Sequence, residues 1–166
     1  TKTIRFSFCK KTYCKRNEVV KQKIQDMKEI YNKFKQEIKS AIKFDPPQLL
    51  RKDKNTIRTL YRHRAGVYKY ILYGIVIYIG QSQSNLYLRG SSFIRCIIKL
   101  LSGATDVSES HSPKFLKEGY TATDLDNIIV EYMITPSAMS HLTENILLDL
   151  HYEEYGCYPI LNTITS

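Results

Sequence analysis

Hydrophobic residues recur at steps of three and four through the N-terminal part of the chain. Between residues 17 and 44 they occupy Val20, Ile24, Met27, Tyr31, Phe34, Ile38 and Ala41. This spacing predicts an amphipathic helix with lysines over much of its polar surface. We expect the helix to end at Asp45-Pro46-Pro47, because proline lacks the backbone donor and disfavours helical geometry in the preceding residue. A second, shorter basic helix is predicted over residues 49–64.

From residue 66 onward the pattern changes to runs of β-branched and aromatic residues, which are typical of strands. Residues 66–72 and 75–79 form two such runs, and Tyr73-Gly74 between them predicts a hairpin. The periodicity then predicts a helix over residues 86–101, a strand over residues 126–134 and a last helix from Ser137 or Ser140 to about Tyr155. Residues 102–124 show little periodicity and are predicted to be mostly loop.

These elements predict an α+β fold, in which helices flank a three-stranded, mainly antiparallel sheet. The length of 166 residues suits one such core with additions. We expect residues 65–166 to form the core and residues 1–64 to form a basic helical arm. The longest apolar run, residues 71–80, falls short of the roughly 18 residues that span a bilayer. The N-terminus lacks a signal-peptide core, so no membrane contact and a cytoplasmic location are expected.

The cysteines are spread along the chain without a paired C-x-x-C motif. They lie at Cys9, Cys14, Cys96 and Cys157. Free thiols are expected, because intracellular cysteines usually remain reduced. A metal site at the first two cysteines is the alternative.

Positive charge is concentrated in the N-terminal part of the chain. The net charge is +9, yet residues 1–60 hold 17 Lys and Arg against 6 Asp and Glu, while residues 61–166 hold 8 against 10. A basic segment joined to a near-neutral body is typical of proteins that bind a polyanion, most commonly a nucleic acid. The alternative is a lysine-rich helix whose charges serve only its solvation.

Two tripeptides on the predicted hairpin carry a resemblance to a known family. Gly66-Val67-Tyr68 is followed ten residues later by Tyr78-Ile79-Gly80. Arg89 then lies in the following predicted helix, Glu144 lies in the last one, and Asn162 lies near the C-terminus. Either tripeptide alone carries little weight, because many hairpin strands have this composition. In this order, over residues 66–162, the motifs resemble those of the GIY-YIG nucleases.

The resemblance implies a role for each of these residues. Tyr68 would take a proton from the attacking water, and Tyr78 would help to orient the scissile phosphate. Arg89 would stabilise the charge that builds up on the phosphate in the transition state. Glu144 would bind Mg²⁺, with Mn²⁺ as a substitute, since one carboxylate plus phosphate oxygens often suffices for this ion. Asn162 would brace the site.

One position departs from the family pattern. Many members carry a histidine or tyrosine one helical turn after the arginine, where this chain has Phe93. Either Tyr68 acts alone or another group enters the site, the candidates being His63, His111 and His141. Bringing the pKa of a tyrosine from about 10 to about 7 requires roughly 4 kcal/mol of differential stabilisation. We expect cations to supply it, namely Arg89, Lys69 and the metal ion.

The expected activity is Mg²⁺-dependent hydrolysis of double-stranded DNA. Homing and repair members usually append a separate domain, for which we expect no room in 166 residues. A homodimeric, sequence-specific type II restriction endonuclease therefore fits this chain best. A phage, repair or homing endonuclease is the first alternative, and a non-catalytic basic nucleic-acid-binding protein is the second. The residues expected to contact DNA are Lys21, Lys28, Lys35, Arg62, Arg64, Gln81, Ser82 and Arg95.

Overall fold

The computed structural model describes residues 5–163, with side chains from residue 18 onward. The chain divides into two compact units between Ile42 and Lys43. The first unit is one helix, α1 (Arg5–Ala41), which confirms the predicted helix and extends it toward the N-terminus. Residues 43–64 belong to the second unit, so the domain boundary predicted after residue 64 is wrong.

The second unit is an α+β fold, as predicted. Its elements are β1 (Gln48–Leu49), α2 (Lys54–Tyr61), β2 (Gly66–Leu72), β3 (Ile75–Ser82), α3 (Leu86–Leu101), α4 (His111–Lys117), α5 (Ala122–Asp126), β4 (Ile129–Ile134) and α6 (Ser140–Tyr155). Single 3₁₀ turns at Ser137–Met139 and Ile160–Asn162 flank α6. In the part of the chain that the structure describes, no helix is long and apolar enough to cross a membrane.

The hairpin between β2 and β3 turns at Tyr73 and Gly74, as predicted. Both residues have positive φ angles, 53° and 80°, which is the combination that a type I′ turn requires. The resulting register pairs Tyr68 with Gly80 and, two residues further along the strands, Tyr70 with Tyr78. The turn therefore places the two sequence motifs side by side.

The sheet has four antiparallel strands in the order β1-β4-β2-β3. The predicted three-stranded sheet was therefore one strand short, because the missing strand, β1, contains only two residues. Leu49 pairs with Ile129 in β4, and its backbone N–H donates to the carboxylate of Asp53 at 2.7 Å. Strand pairing thus occupies the start of the segment predicted as a second helix, and α2 is correspondingly shorter.

Helices α3 and α6 have the bounds that the sequence predicts. Helix α3 begins after Asn85, whose side chain accepts a hydrogen bond from the backbone of Leu88 at 3.1 Å. Helix α6 ends at Gly156, which adopts a left-handed φ of 74°. A residue without a Cβ takes this conformation at low cost, so the helix stops there.

The prediction of a loop over residues 102–124 was wrong, because this segment contains α4 and most of α5. The carboxylate of Glu109 accepts hydrogen bonds from the backbone of His111 at 3.0 Å and of Ser112 at 2.7 Å, which fixes the start of α4. A reciprocal capping box between Thr121 and Asp124 starts α5. Both helices are too short to show a helical repeat in the sequence.

Tyrosines form a large part of the core on the sheet face that packs against α3. Tyr61 stacks on Tyr132 with 4.1 Å between ring centroids. Tyr70 packs against Phe93 of α3 at 5.0 Å. These rings are buried, so they belong to the interior of the unit rather than to its rim.

The structure describes the side chains of two cysteines. Cys96 is a buried free thiol and Cys157 is an exposed one, as predicted. The side chains of Cys9 and Cys14 lie outside the described residues.

Candidate active site

Tyr68 and Tyr78 lie on neighbouring strands with their rings on the same face of the sheet. Their ring centroids are 5.9 Å apart, and only 5% and 7% of these residues is exposed. A Cβ atom at Gly80 would lie 2.6 Å from Cε1 of Tyr78 and 2.8 Å from the hydroxyl of Tyr68. The two rings therefore share the space above a residue that has no side chain.

Gly66, which opens the first motif, also permits a close approach. A Cβ atom there would lie 2.2 Å from the backbone carbonyl oxygen of Met133 in β4. Any other residue would push β2 away from its neighbour. Each motif glycine is thus explained by the packing of the strands and rings that surround the tyrosines.

Arg89 projects from the first turn of α3 and is exposed. Its positive charge opposes the rise in the pKa of Tyr68, Tyr78 and Glu144, and it lowers the pKa of His111. The guanidinium therefore lies close enough to act on four ionisable groups at one site. An exposed arginine that acts on these groups can also bind an anion beside them.

Glu144 lies in the second turn of α6 with its side chain 15% exposed. Burial raises the pKa of this carboxyl, against the opposing effects of His141 and Arg89. His141 Nδ1 lies 3.4 Å from the carboxylate. A half-buried carboxylate with one weak polar neighbour would be stabilised by a cation.

The donor set fits Mg²⁺ held largely by water and substrate. Among the described residues, no group of three or more His, Cys, Asp or Glu side chains could hold a metal ion. Mg²⁺ keeps several waters and often takes only one or two carboxylates plus phosphate oxygens. A site with the single carboxylate of Glu144 is compatible with this mode of binding.

Asn162 braces the strand that carries Tyr78. Its side-chain oxygen accepts from the backbone N–H of Ile79 at 2.8 Å, and its side-chain nitrogen donates to the carbonyl of the same residue at 2.7 Å. The carboxamide thus pairs with β3 as a neighbouring strand would. The bracing role that the resemblance implied has this geometric basis, one residue from the second tyrosine.

His111 reaches the tyrosines from α4, an element that the sequence prediction missed. Its Nε2 lies 2.8 Å from the Tyr78 hydroxyl, and the two ring centroids are 4.3 Å apart. Of the other histidines considered for this place, His141 lies beside Glu144, and His63 is exposed with a φ of 63°. Phe93, where the family has a polar residue, is part of the core.

Burial makes both tyrosines poor acids. It raises the pKa of Tyr68 well above its ordinary value, and the neighbouring Tyr78 adds to this effect. Burial also raises the pKa of Tyr78, and the Glu144 carboxylate adds to it. Lys69, expected to offset such a rise, points to the opposite sheet face, where it pairs with Glu131 at 2.8 Å.

The residues expected to contact DNA differ in their exposure. Lys35 is buried, and Gln81 is half-buried. Ser82 is buried as well, and its hydroxyl accepts from the backbone of Asn85 at 3.0 Å, so it stabilises the turn before α3. Five of the expected contacts are exposed on the described surface: Lys21, Lys28, Arg62, Arg64 and Arg95.

Comparisons with protein-family models, with curated proteins and with solved structures give no match to this chain. The geometry of the site and the sequence motifs are therefore the basis on which a function is proposed.

Proposed function

We propose that this protein is a Mg²⁺-dependent endonuclease of the GIY-YIG type that hydrolyses phosphodiester bonds in double-stranded DNA. One observation carries the proposal. A tyrosine pair on one face of the sheet, an arginine and a half-buried glutamate lie within electrostatic reach of one another, and charge on Arg89 acts on each of the others. A phosphodiester needs this combination, because its anionic oxygens require a cation and its attacking water must lose a proton.

Each side chain has a distinct part in this proposal. Arg89 binds a non-bridging oxygen of the scissile phosphate and stabilises the charge of the transition state. Tyr68 and Tyr78 contact the attacking water and the phosphate. Glu144 holds Mg²⁺, which supplies Lewis-acid stabilisation of the phosphate when it is bound. Asn162 keeps the strand with Tyr78 in place through its two hydrogen bonds to Ile79.

Among nucleases of this type, we propose a homodimeric type II restriction endonuclease. The exposed cations on α1 and in the segment around Arg62 and Arg64 would contact the sugar-phosphate backbone of the bound DNA. A phage, repair or homing endonuclease is the alternative within the same chemistry.

Replacing Glu144 with Gln tests the proposal directly. The change keeps the size of the side chain but removes the charge that holds Mg²⁺, so plasmid cleavage should fall by at least about 10²-fold. DNA affinity measured in Ca²⁺, without cleavage, should stay within a few fold, because the carboxylate does not grip DNA. The matched control is Glu153→Gln in the same helix, which should cut at the wild-type rate. Equal cutting by Glu144→Gln and wild type would end the metal-ligand assignment.

A further inference from the structure

We propose that His111 is the terminal proton acceptor of this site and takes the proton of the attacking water through the hydroxyl of Tyr78. The inference rests on the proposed nuclease function and deepens it. It assigns the general base to a residue on α4, which replaces the polar side chain absent at Phe93.

The contact between His111 and Tyr78 is held in place from several directions. Nε2 lies 2.8 Å from the Tyr78 hydroxyl. The carboxylate of Glu109 accepts from the backbone N–H groups that begin α4, at 3.0 and 2.7 Å. The hydroxyl of Ser112 donates to the backbone carbonyl of Phe93 at 3.2 Å, which ties α4 to α3. The position of the imidazole is therefore fixed by the hydrogen bonds that hold α4 as well as by its own contact with Tyr78.

The short contact determines which group can give a proton to which. Nε2 is the histidine atom that faces the Tyr78 hydroxyl, at 2.8 Å. A neutral imidazole has one donor and one acceptor nitrogen, and a tyrosine hydroxyl can donate its hydrogen. In the tautomer with its proton on Nδ1, the ring accepts from the Tyr78 hydroxyl through Nε2.

Neither tyrosine can act as a free phenolate base near neutral pH. An unperturbed tyrosine already needs roughly 4 kcal/mol to bring its pKa to about 7, and burial moves the pKa of Tyr68 further away. Histidine is the side chain whose ordinary pKa, about 6.5, lies near neutrality. A hydroxyl that is hydrogen-bonded to an imidazole can pass on a proton without the tyrosine staying ionised.

The charges around His111 suit a transient proton. Glu109 lies 3.9 Å from Nε2 and would stabilise the imidazolium. Burial lowers the pKa of His111, and Lys114 from α4 and Arg89 from α3 lower it further, while Glu109 and the Leu161 carbonyl raise it. The imidazole is therefore favoured in its neutral, proton-accepting form before the reaction.

The proton balance of the step is complete within these groups and water. The water oxygen forms a bond to phosphorus as its proton moves to the Tyr78 oxygen. The proton of Tyr78 moves to Nε2 of His111. The bond from phosphorus to the leaving oxygen breaks, and this oxygen takes a proton from solvent. His111 then releases its proton to solvent and the chain is restored.

Single-turnover plasmid cleavage across a range of pH tests the relay. We expect His111→Gln and Tyr78→Phe each to slow cleavage by at least about 10²-fold. The double variant should be no slower than the slower single variant, because both changes break one chain. The wild-type rate should fall as the pH drops through the lowered pKa of His111, and this limb should be absent in His111→Gln. Added imidazole should restore part of the activity of His111→Ala.

The controls separate the relay from folding and from the proposed function. DNA affinity in Ca²⁺ and the melting temperature show whether each variant is folded, and His151→Gln, a histidine bonded to the Cys157 carbonyl, should cut normally. A wild-type protein that cuts no DNA would overturn both the nuclease and the relay. A wild type that cuts, together with multiplicative losses in the double variant, an unchanged pH limb in His111→Gln or no rescue by imidazole, would overturn the relay alone.

Discussion

At the scale of single residues, the packing of the site depends on the absence of a side chain at Gly80. The residue pairs with Tyr68 across the hairpin, and the edges of two buried tyrosine rings lie over its backbone. A side chain there would occupy the space of Cε1 of Tyr78 and of the Tyr68 hydroxyl. The last residue of the second motif is therefore a requirement of ring packing.

Gly80→Ala should displace the tyrosine rings. We expect a large loss of cleavage rate with only a moderate loss in the free energy of unfolding. The new methyl group would lie 2.6 Å from one ring and 2.8 Å from the other, so at least one ring must move. Overpacking of this kind costs about 1–3 kcal/mol, and a shift of about 1 Å at a reacting group can cost 10²-fold in rate. Melting temperature and single-turnover cleavage measure the two effects.

Gly74→Ala is the matched control for that change. Gly74 has a φ of 80° and no atom within 4 Å of an added Cβ, so alanine strains the turn without touching the site. We expect a lower melting temperature with a normal cleavage rate. If Gly80→Ala lost stability to the same extent but kept its rate, the rings would not need their observed positions.

The sequence could place the tyrosines, Arg89 and Glu144 on their strands and helices because each lies on an element with a clear repeat, and the familiar order of the motifs made them candidates. It could name His111 only as one of three candidates. Its position depends on α4, which is fixed by contacts across the fold such as the hydrogen bond from Ser112 to Phe93. Glu109, just before the start of α4, was the local sequence feature that could have indicated this helix. It lies in a segment without hydrophobic periodicity, so it did not stand out.

At the scale of elements, length decides which parts of the fold could be predicted. The 16 residues of α3 and the 16 of α6 span several turns, so their apolar faces repeat. Helices α4 and α5 have 7 and 5 residues, and β1 has 2, too few for a period to emerge. The capping box of Thr121 and Asp124 was the sequence feature that could have indicated α5.

The lysines of α1 test whether this helix contacts DNA. Lys21, Lys28 and Lys33 are exposed, and replacing all three with Gln removes charge without shortening the chain. Each lost phosphate contact reduces the slope of log affinity against log salt by about 0.9, so the slope should fall by up to about 3. Binding in Ca²⁺ to several unrelated duplexes measures it. Lys117→Gln, an exposed lysine of α4, serves as the single-charge control.

A slope that stays the same in the triple variant would show that α1 does not touch DNA. Its charges would then serve only to solvate the helix, and the cations around Arg62 and Arg64 would have to account for backbone binding.

At the scale of the whole molecule, α1 combines an apolar stripe with a high density of lysines. From residue 18 onward, six of its large apolar side chains are between 40% and 70% exposed: Val19, Val20, Ile24, Met27, Ile30 and Phe34. Such a stripe favours pairing with a second helix. Two copies of the same helix would also bring like charges together, and a polyanion would relieve that repulsion.

We therefore expect a homodimer that assembles on DNA. Supercoiled plasmid should pass to the linear form with little nicked intermediate at enzyme excess, because each protomer cuts one strand in a single binding event. Light scattering should find two protomers per short duplex. A protein that stays monomeric on DNA and accumulates nicked circles would contradict the dimer and favour a repair or homing role.

The carboxamide of Asn162 has a consequence for aggregation as well as for the site. Strand β3 lies at the edge of the sheet, where unpaired backbone groups can recruit a strand from another molecule. By taking both the N–H and the carbonyl of Ile79, Asn162 covers that edge beside the second tyrosine. Proteolysis that released the segment after Gly156 would expose the edge of β3, a strand rich in isoleucine. We therefore expect Asn162 to protect the protein from edge-to-edge association as well as to hold the site.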